Sequence, residues 1–205
     1  MMIASLHTVA DWCGGVRIEG APGAGQTEIA GVSTDTRSLA PGQLFVPLAG
    51  ERFDGHDHLR AAEAAGAAAA LWQADRPIPP GAGIPLVVVR DTLAALQKLA
   101  ESYLAGLNAR VVGITGSNGK TTTKDLIASV LATGFKVHAT AGNFNNHIGL
   151  PLTILRAPAD TEAIVLEMGM SGKGEISLLS RLAKPDAAVV TNIGDAHLLQ
   201  LGSRR

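Results

Sequence analysis

Cysteine is almost absent from the sequence, and so are long apolar runs. Cys13 is the only cysteine, so it cannot form an internal disulfide, and this fits a reducing compartment. No apolar stretch reaches the ~20 residues that a membrane-spanning helix needs. The first residues lack a basic leader, and Asp11 interrupts their apolar character, so no signal peptide is predicted. We therefore predict a cytoplasmic chain without membrane insertion.

Charge and aromatic side chains are also scarce. Charged residues make up 17% of the chain, and the formal net charge is −1, which gives no electrostatic case for binding nucleic acid. Aromatic residues make up 3%, whereas hydrophobic residues make up 46% of the 205 positions. That content suffices for packed α/β cores, in one large or two small domains. Cys13 is expected to be a small buried hydrophobe in such a core.

What the sequence does contain is a strand, a glycine loop and a helix in direct succession. The apolar run Val111–Ile114 predicts a buried strand, Thr115–Gly119 is small and polar, and Lys120 opens a helix. This order is typical of a phosphate-binding loop, in which backbone N–H groups and the helix N-terminus hold phosphate oxygens. The match is imperfect, because the general motif has glycine where Ile114 stands, and here the glycine is Gly113.

Two side chains at the start of that helix carry the predicted chemistry. Lys120 can reach terminal phosphates, and the Thr121 hydroxyl can bind Mg²⁺. The helix is predicted over 120–133, with Gly134 as its stop. Its apolar face is predicted to consist of Leu126, Ile127, Val130 and Leu131.

Short strands and helices alternate along the whole chain, and we predict an α/β fold in two domains, 1–107 and 108–205. The predicted strands are 27–33, 44–48, 67–72 and 85–89, then 111–115, 135–139, 162–167 and 187–191. The predicted helices are 5–13, 58–65 and 91–104, then 120–133, 147–155 and 174–183. Pro47 places its strand at a sheet edge or ends it early. The second domain should hold a parallel sheet covered on both faces.

Polar residues follow the strands of the second domain, and ligands of parallel sheets collect at these carboxyl ends. Glu167 closes the apolar strand Ala163–Leu166, either as a Mg²⁺ ligand or in a helix-facing salt bridge. His197 follows another strand, and a functional and a structural role are both open. A third cluster offers either turn formers or donors and acceptors for a substrate: Asn143, Asn145 and Asn146.

Five segments together resemble one family. GITGSNGKTTTKD, TAGNFNNHIGLPLTIL, EMGMSGKGEI and VVTNIGDAHLLQLGS are similar to successive motifs of the Mur ligases, the amide-forming enzymes of peptidoglycan precursor synthesis. VSTDTRSLAPGQLFVPLAGERFDGHDHL resembles the UDP-binding domain of that family. The Asn-Phe-Asn-Asn and Glu-Met-Gly-Met segments favour the branch that adds D-Ala-D-Ala to UDP-N-acetylmuramoyl-tripeptide. The sister branch, which adds the third amino acid, is the alternative.

The resemblance implies an ATP-driven, Mg²⁺-dependent ligation through an acyl phosphate, by a monomer without nucleic-acid partners. By matching position, the catalytic residues are Lys120, Glu167 and His197, and the metal ligands are Thr121, Glu167 and His197. The nucleotide would lie against Thr115, Gly116, Ser117, Asn118, Gly119, Lys120, Thr121 and Thr122. UDP would lie against Ser33, Asp35, Thr36, Arg37, Asp54, Gly55 and His56, and the muramoyl part against Asn143, Asn145 and Asn146.

The chain departs from the family pattern at its end. After Leu201–Arg204 the family continues with a glutamate, a helix with a carbamylated lysine and a C-terminal domain, whereas here Arg205 is the last residue. We therefore expect a fragment: a small N-terminal α/β UDP-binding domain followed by a truncated P-loop, parallel-sheet domain of the ATPase type. Alone it is expected to bind the UDP substrate weakly and to lack ligase activity. A non-catalytic UDP-substrate or nucleotide-binding module is the alternative of a different class.

Overall fold

The computed structural model describes residues 1–50 and 53–194. The chain divides into two compact units, Met1–Tyr103 and Leu104–Arg205. The helix Thr92–Gly106 spans this division, and the predicted boundary at residue 107 falls just after its end. No helix in the described ranges has the length and apolar character needed to cross a membrane.

The described residues of the first unit form short strands and helices around one main sheet. The strands are β1 (Ile3–Ser5), β2 (Arg17–Glu19), β3 (Glu28–Ala30), β4 (Val32–Ser33), β5 (Leu44–Phe45), β6 (Ala69–Gln73) and β7 (Leu86–Val89). The helices are α1 (Leu6–Cys13), α2 (Leu59–Ala64) and α3 (Thr92–Gly106). The main sheet has the order β2-β7-β6-β5-β4, parallel except for β2. Strands β1 and β3 form a separate antiparallel pair.

The first unit differs from its sequence prediction in three places. Strand 27–33 is split into β3 and β4 at Gly31, whose φ of +92° interrupts extended backbone. Strand β5 ends early at Phe45, which is one of the two outcomes that Pro47 predicted, and it pairs with both β4 and β6. Strands β1 and β2 were missed, since three residues give too little alternation to recognise.

The second unit is a parallel α/β sheet, as predicted. Its strands are β8 (Arg110–Thr115), β9 (Val137–Ala139), β10 (Ala163–Glu167) and β11 (Ala187–Val190), in the order β11-β8-β10-β9. Its helices are α4 (Lys120–Leu131), α5 (Gly149–Arg156) and α6 (Glu175–Ala183). All five residues of β10 are buried, and the strand pairs in parallel with both β8 and β9. The carboxyl ends of β8, β9 and β10 therefore meet at one edge of the sheet.

Helix α4 buries only part of the apolar face that the sequence indicated. Leu126 is 64% exposed and Val130 is 69% exposed. The buried residue of this helix is Lys124, and Ile127 and Leu131 are half-buried on the same side. Positions 124, 127 and 131 follow the helical i, i+3, i+7 spacing. Apolar residues occur on two sides of α4, and periodicity alone cannot tell which side meets the strands.

The core of the first unit includes a polar cluster at its margin. His56 and Trp72 are each 4% exposed, and their rings meet edge to face at 4.9 Å. His56 Nδ1 lies 2.7 Å from Asp54 Oδ1, and Asp54 also pairs with Arg76. Burial holds the pKa of His56 below its usual range, although the contact with Asp54 acts in the opposite direction.

This cluster predicts a pH dependence for the first unit. The folded-state pKa of His56 lies below its ordinary value of 6.5, so the unfolded chain binds the proton more readily. The free energy of unfolding should therefore be retained above that value and fall as the pH drops below it. Urea unfolding at about pH 7.5 and about pH 5.5, followed by tryptophan fluorescence, measures this difference. Trp12 and Trp72, the only 2 tryptophans of the chain, both lie in the first unit.

Two variants separate His56 from the other titrating groups. His56→Asn keeps a polar atom near the Nδ1 position but cannot titrate, so its unfolding free energy should change less between the two pH values. His7→Gln replaces an exposed histidine and should keep the wild-type dependence. A His56→Asn protein with the full wild-type dependence would contradict this account.

Candidate functional site

The loop between β8 and α4 approaches another backbone segment more closely than a side chain allows. Gly116 has a φ of +136°, and a Cβ atom there would lie 2.1 Å from Thr191 Oγ1 and 3.0 Å from Asn192 N. Only glycine tolerates both the backbone conformation and the contact. Gly116 therefore lets the loop pack against the residues that follow β11.

The segment after β11 holds this loop in place. Asn192 Oδ1 accepts a hydrogen bond from Asn118 N at 2.9 Å, and its backbone oxygen accepts one from Ser117 N at 3.1 Å. Thr191 Oγ1 donates to Asn118 O at 2.6 Å. Sequence reasoning gave no role to Thr191 or Asn192; the available signal was their position at the end of the predicted strand 187–191. His197, predicted nearby, lies outside the described residues.

The start of α4 presents donors toward the space above the sheet edge. The first-turn N–H groups of Lys120, Thr121 and Thr122 have no acceptor among the described residues, as expected at a helix N-terminus. Lys120 Nζ donates to Gly116 O at 2.8 Å, so the ammonium group lies over its own loop. Thr115, at the end of β8, donates from Oγ1 to Met168 O at 3.0 Å. Unpaired N–H groups, a helix dipole and a lysine together suit an anion such as phosphate.

Glu167 ends β10 beside this helix, and its carboxylate is held from two sides. Thr121 Oγ1 donates to Glu167 Oε2 at 2.8 Å, and Asn145 Nδ2 donates to Glu167 Oε1 at 2.9 Å. Glu167 is 4% exposed. In the described part of the chain its carboxylate makes no salt bridge. The helix-facing salt bridge considered from the sequence is therefore not formed there.

This arrangement fits a small, hard cation. Mg²⁺ prefers oxygen ligands and commonly binds one or two carboxylates together with substrate phosphates and water. Within residues 1–50 and 53–194, no group of three or more His, Cys, Asp or Glu side chains could hold a metal ion. Thr121 and Glu167 thus offer one hydroxyl and one carboxylate, and phosphate oxygens and water would have to complete the coordination.

A cavity of about 360 Å³ opens beside Lys120, lined by Lys120, Asn145, Asn146, His147, Gly169, Met170, Ser171 and Glu175. Asn146 Oδ1 also caps α5, accepting from Gly149 N at 2.8 Å. Asn145 is fixed against Gly169, whose N–H donates to Asn145 O at 2.8 Å. Asn143 is exposed and does not line this cavity. The structure therefore brings two of the three predicted asparagines to the cavity beside Lys120.

A second cavity, of about 710 Å³, lies in the first unit and is lined by Thr34, Asp35, Thr36, Arg37, Phe45, Phe53, Gly55 and His58. The Phe53 and His58 rings stack at 5.1 Å with 19° between their planes. Arg37 Nη2 donates to Asp35 Oδ2 at 2.6 Å, and this hydrogen bond lowers the pKa of Asp35 to about 2. Aromatic rings beside an arginine suit a ligand with a flat base and an anionic group.

Four of the predicted UDP residues line this cavity directly: Asp35, Thr36, Arg37 and Gly55. Ser33 supports them, because its Oγ donates to Asp35 O at 3.0 Å. Gly55 packs closely against Leu48, whose backbone nitrogen lies 2.7 Å from where a Cβ atom would stand. Asp54 and His56 do not line the cavity, since they belong to the buried cluster around Trp72.

Known proteins match both units. Residues 28–104 match the Mur ligase family catalytic domain, and residues 114–205 match the Mur ligase middle domain. The UDP-N-acetylmuramoyl-tripeptide--D-alanyl-D-alanine ligase of Bacillus subtilis (strain 168) is 63% identical over 179 residues. That alignment covers 87% of this chain and 39% of the relative.

Two solved structures resemble the chain over most of its length. The crystal structure of MurF from Acinetobacter baumannii has a TM-score of 0.89 at 34% identity, covering 100% of this chain and 44% of that one. MurF from Thermotoga maritima in complex with ADP has a TM-score of 0.75 at 37% identity, covering 85% and 40%. The chain thus spans about two fifths of the length of these relatives. With a Mur ligase profile matched to each unit, the chain belongs to the Mur ligase family.

Proposed function

We propose that this chain carries the UDP-substrate-binding and nucleotide-binding parts of an ATP-dependent amide ligase. The reaction joins D-Ala-D-Ala to UDP-N-acetylmuramoyl-tripeptide in peptidoglycan precursor synthesis. The name of the 63% identical Bacillus subtilis relative supports this acceptor and amine over addition of the third amino acid. As the family resemblance implies, we place the enzyme in the cytoplasm and treat it as a monomer.

The observation that carries the proposal is the contact between the Thr121 hydroxyl and the Glu167 carboxylate, at 2.8 Å. It places a hydroxyl from the start of a helix and a carboxylate from a neighbouring strand end side by side. P-loop NTPases hold Mg²⁺ between groups of these two kinds while the loop and its lysine bind the phosphates. The ADP in the Thermotoga maritima relative supports a nucleotide at this loop.

In the proposed reaction, the substrate carboxylate attacks the γ-phosphorus of ATP, and ADP leaves. The amine of D-Ala-D-Ala then attacks the acyl carbon, and inorganic phosphate leaves. The first-turn N–H groups of α4 would bind phosphate oxygens, and Lys120 would exchange its contact with Gly116 O for the transferring phosphoryl group. Mg²⁺, when bound at Thr121 and Glu167, would neutralise charge on the phosphates. The 360 Å³ cavity beside Lys120 gives room for the reacting carboxylate.

We assign the 710 Å³ cavity of the first unit to the UDP group. Phe53 is 58% exposed, so its ring offers a free face for a uracil base. The side chain of Arg37 is 88% exposed, and its Nη1 group has no acceptor among the described residues. That group can donate to a diphosphate, while the contact with Asp35 fixes the orientation of the guanidinium.

Lys120→Ala should reduce ligation by roughly 10²- to 10³-fold, because one preorganised charge aimed at a developing phosphoryl charge is worth about that much. Phosphate release with ATP and D-Ala-D-Ala, in a version extended to the length of the relatives, measures the effect. Binding of UDP-N-acetylmuramoyl-tripeptide, followed by calorimetry, should persist because the UDP cavity lies in the first unit. Lys136→Ala, at an exposed lysine paired with Asp160, is the control. Turnover near wild type in Lys120→Ala would remove the assignment.

Glu167→Gln should raise the Mg²⁺ concentration needed for half-maximal ligation, because glutamine keeps the shape of the side chain and loses the charge that attracts the cation. A Mg²⁺ titration of phosphate release in the extended version measures this. Glu162→Gln, at the exposed residue just before β10, should leave the titration unchanged. If the titrations of Glu167→Gln and wild type superimpose, Glu167 is only structural.

Arg37→Ala should weaken UDP binding by roughly ten- to a hundredfold, the range expected for losing hydrogen bonds between charged groups. Calorimetry with UDP tests this on the chain itself. Arg17→Ala removes another exposed arginine of the same unit, one that pairs with Glu19, and should bind UDP like wild type. Equal affinity of the Arg37→Ala and Arg17→Ala proteins for UDP would place the diphosphate elsewhere.

A further inference from the structure

Two buried polar residues beside the candidate metal site have no role in the function proposed above. Lys124 is 7% exposed and Thr140 is 2% exposed. We propose that they are positioning residues for Mg²⁺: together they set the distance between Thr121 and Glu167, and so favour Mg²⁺ over larger divalent cations. This inference rests on the proposed nucleotide and Mg²⁺ site.

Thr140 continues the β9–β10 pairing after the strand itself has ended. The paired residues end at Ala139 and Val165, and Thr140 N donates to Val165 O at 3.0 Å. The Thr140 hydroxyl then accepts a hydrogen bond from Glu167 N at 3.0 Å. A side-chain oxygen thus replaces the strand carbonyl that Glu167 would otherwise need, and it fixes the backbone from which the carboxylate projects.

Lys124 ties the helix of the phosphate loop to the same residue. Its Nζ donates to Thr140 O at 2.8 Å and lies 3.0 Å from Asp125 Oδ1. Lys124 follows Thr121 by three positions on α4, so both side chains project from the same side of the helix. The backbone oxygen of Thr140 therefore holds the helix that carries Thr121, and its side-chain hydroxyl holds the strand end that carries Glu167.

This connection bears on which cation the site prefers. Mg²⁺ requires nearly ideal octahedral geometry at roughly 2.0–2.1 Å, whereas Ca²⁺ accepts flexible coordination at about 2.3–2.6 Å. Loosening the separation of Thr121 and Glu167 should therefore weaken Mg²⁺ binding more than Ca²⁺ binding. A role in folding alone would weaken the binding of both cations to a similar degree.

The test measures ADP binding by the 205-residue chain without metal, with Mg²⁺ and with Ca²⁺, by calorimetry. Thr140→Val keeps the shape of the side chain and removes the hydroxyl, whereas Thr140→Ser keeps the hydroxyl. Lys124→Met keeps the apolar stem and removes the ammonium group, and Lys136→Met removes an exposed lysine as its matched control. ADP affinity without metal reports whether the phosphate loop of each variant is folded.

We expect Thr140→Val and Lys124→Met to lose roughly 10- to 100-fold of the Mg²⁺ enhancement of ADP affinity, as is common when a hydrogen bond that orients a metal ligand is removed. The Ca²⁺ enhancement should change less, and Thr140→Ser and Lys136→Met should behave like wild type.

If wild type binds ADP with Mg²⁺ and both variants keep its Mg²⁺-to-Ca²⁺ ratio, the inference is wrong while the proposed function stands. If wild type shows no Mg²⁺-enhanced ADP binding, the proposed function itself fails. If Thr140→Val does not fold, Lys124→Met alone decides the outcome.

Discussion

The hydrogen bond between Thr121 and Glu167 is the contact around which the polar groups of the candidate site in the second unit are arranged. It joins the first turn of α4 to the last residue of β10 at 2.8 Å. Each neighbouring polar contact holds either Glu167 or the helix that carries Thr121. Asn145 and Thr140 hold Glu167, and Lys124 holds the helix that carries Thr121. A buried carboxylate is costly unless its oxygens are satisfied. Two donors to Glu167 therefore stabilise the fold and, at the same time, aim the group at the candidate cation site.

The first unit is built from short strands and helices and carries its cavity at the surface. Its parallel strands β4, β5 and β6 leave loops at one end, and the loops after β4 and before α2 supply most of the cavity lining. Ser33 and Gly55 matter there as backbone supports, through the turn at Asp35 and the close approach to Leu48. Side chains that would contact a ligand, such as Arg37 and Phe53, remain exposed. Rigid backbone beneath exposed side chains is a common way to place recognition residues on a scaffold.

The glycine loop before α4 and the parallel sheet could be predicted because each has a strong local signal. The run Ala163–Leu166 is wholly apolar, and Gly116 and Gly119 precede a lysine at a helix start. The residues that support the site could not be found in this way. Asn192 acts on a loop 74 positions earlier, and Thr140 acts through its hydroxyl on Glu167 and through its backbone oxygen on Lys124. Such contacts depend on the register of strands that are distant in the sequence, and local patterns do not contain it.

The hydrogen bonds that Thr191 and Asn192 make with the glycine loop also bear on the order in which the parts of the chain fold. Asn118 and Asn192 are separated by 74 positions, and β8 lies between β10 and β11, both synthesised later. Contacts between distant segments form slowly, because the intervening chain must first be closed into a loop. During synthesis the glycine loop emerges from the ribosome long before the residues that hold it. We therefore expect the loop to reach its described shape late in folding, after the sheet has received its last described strand.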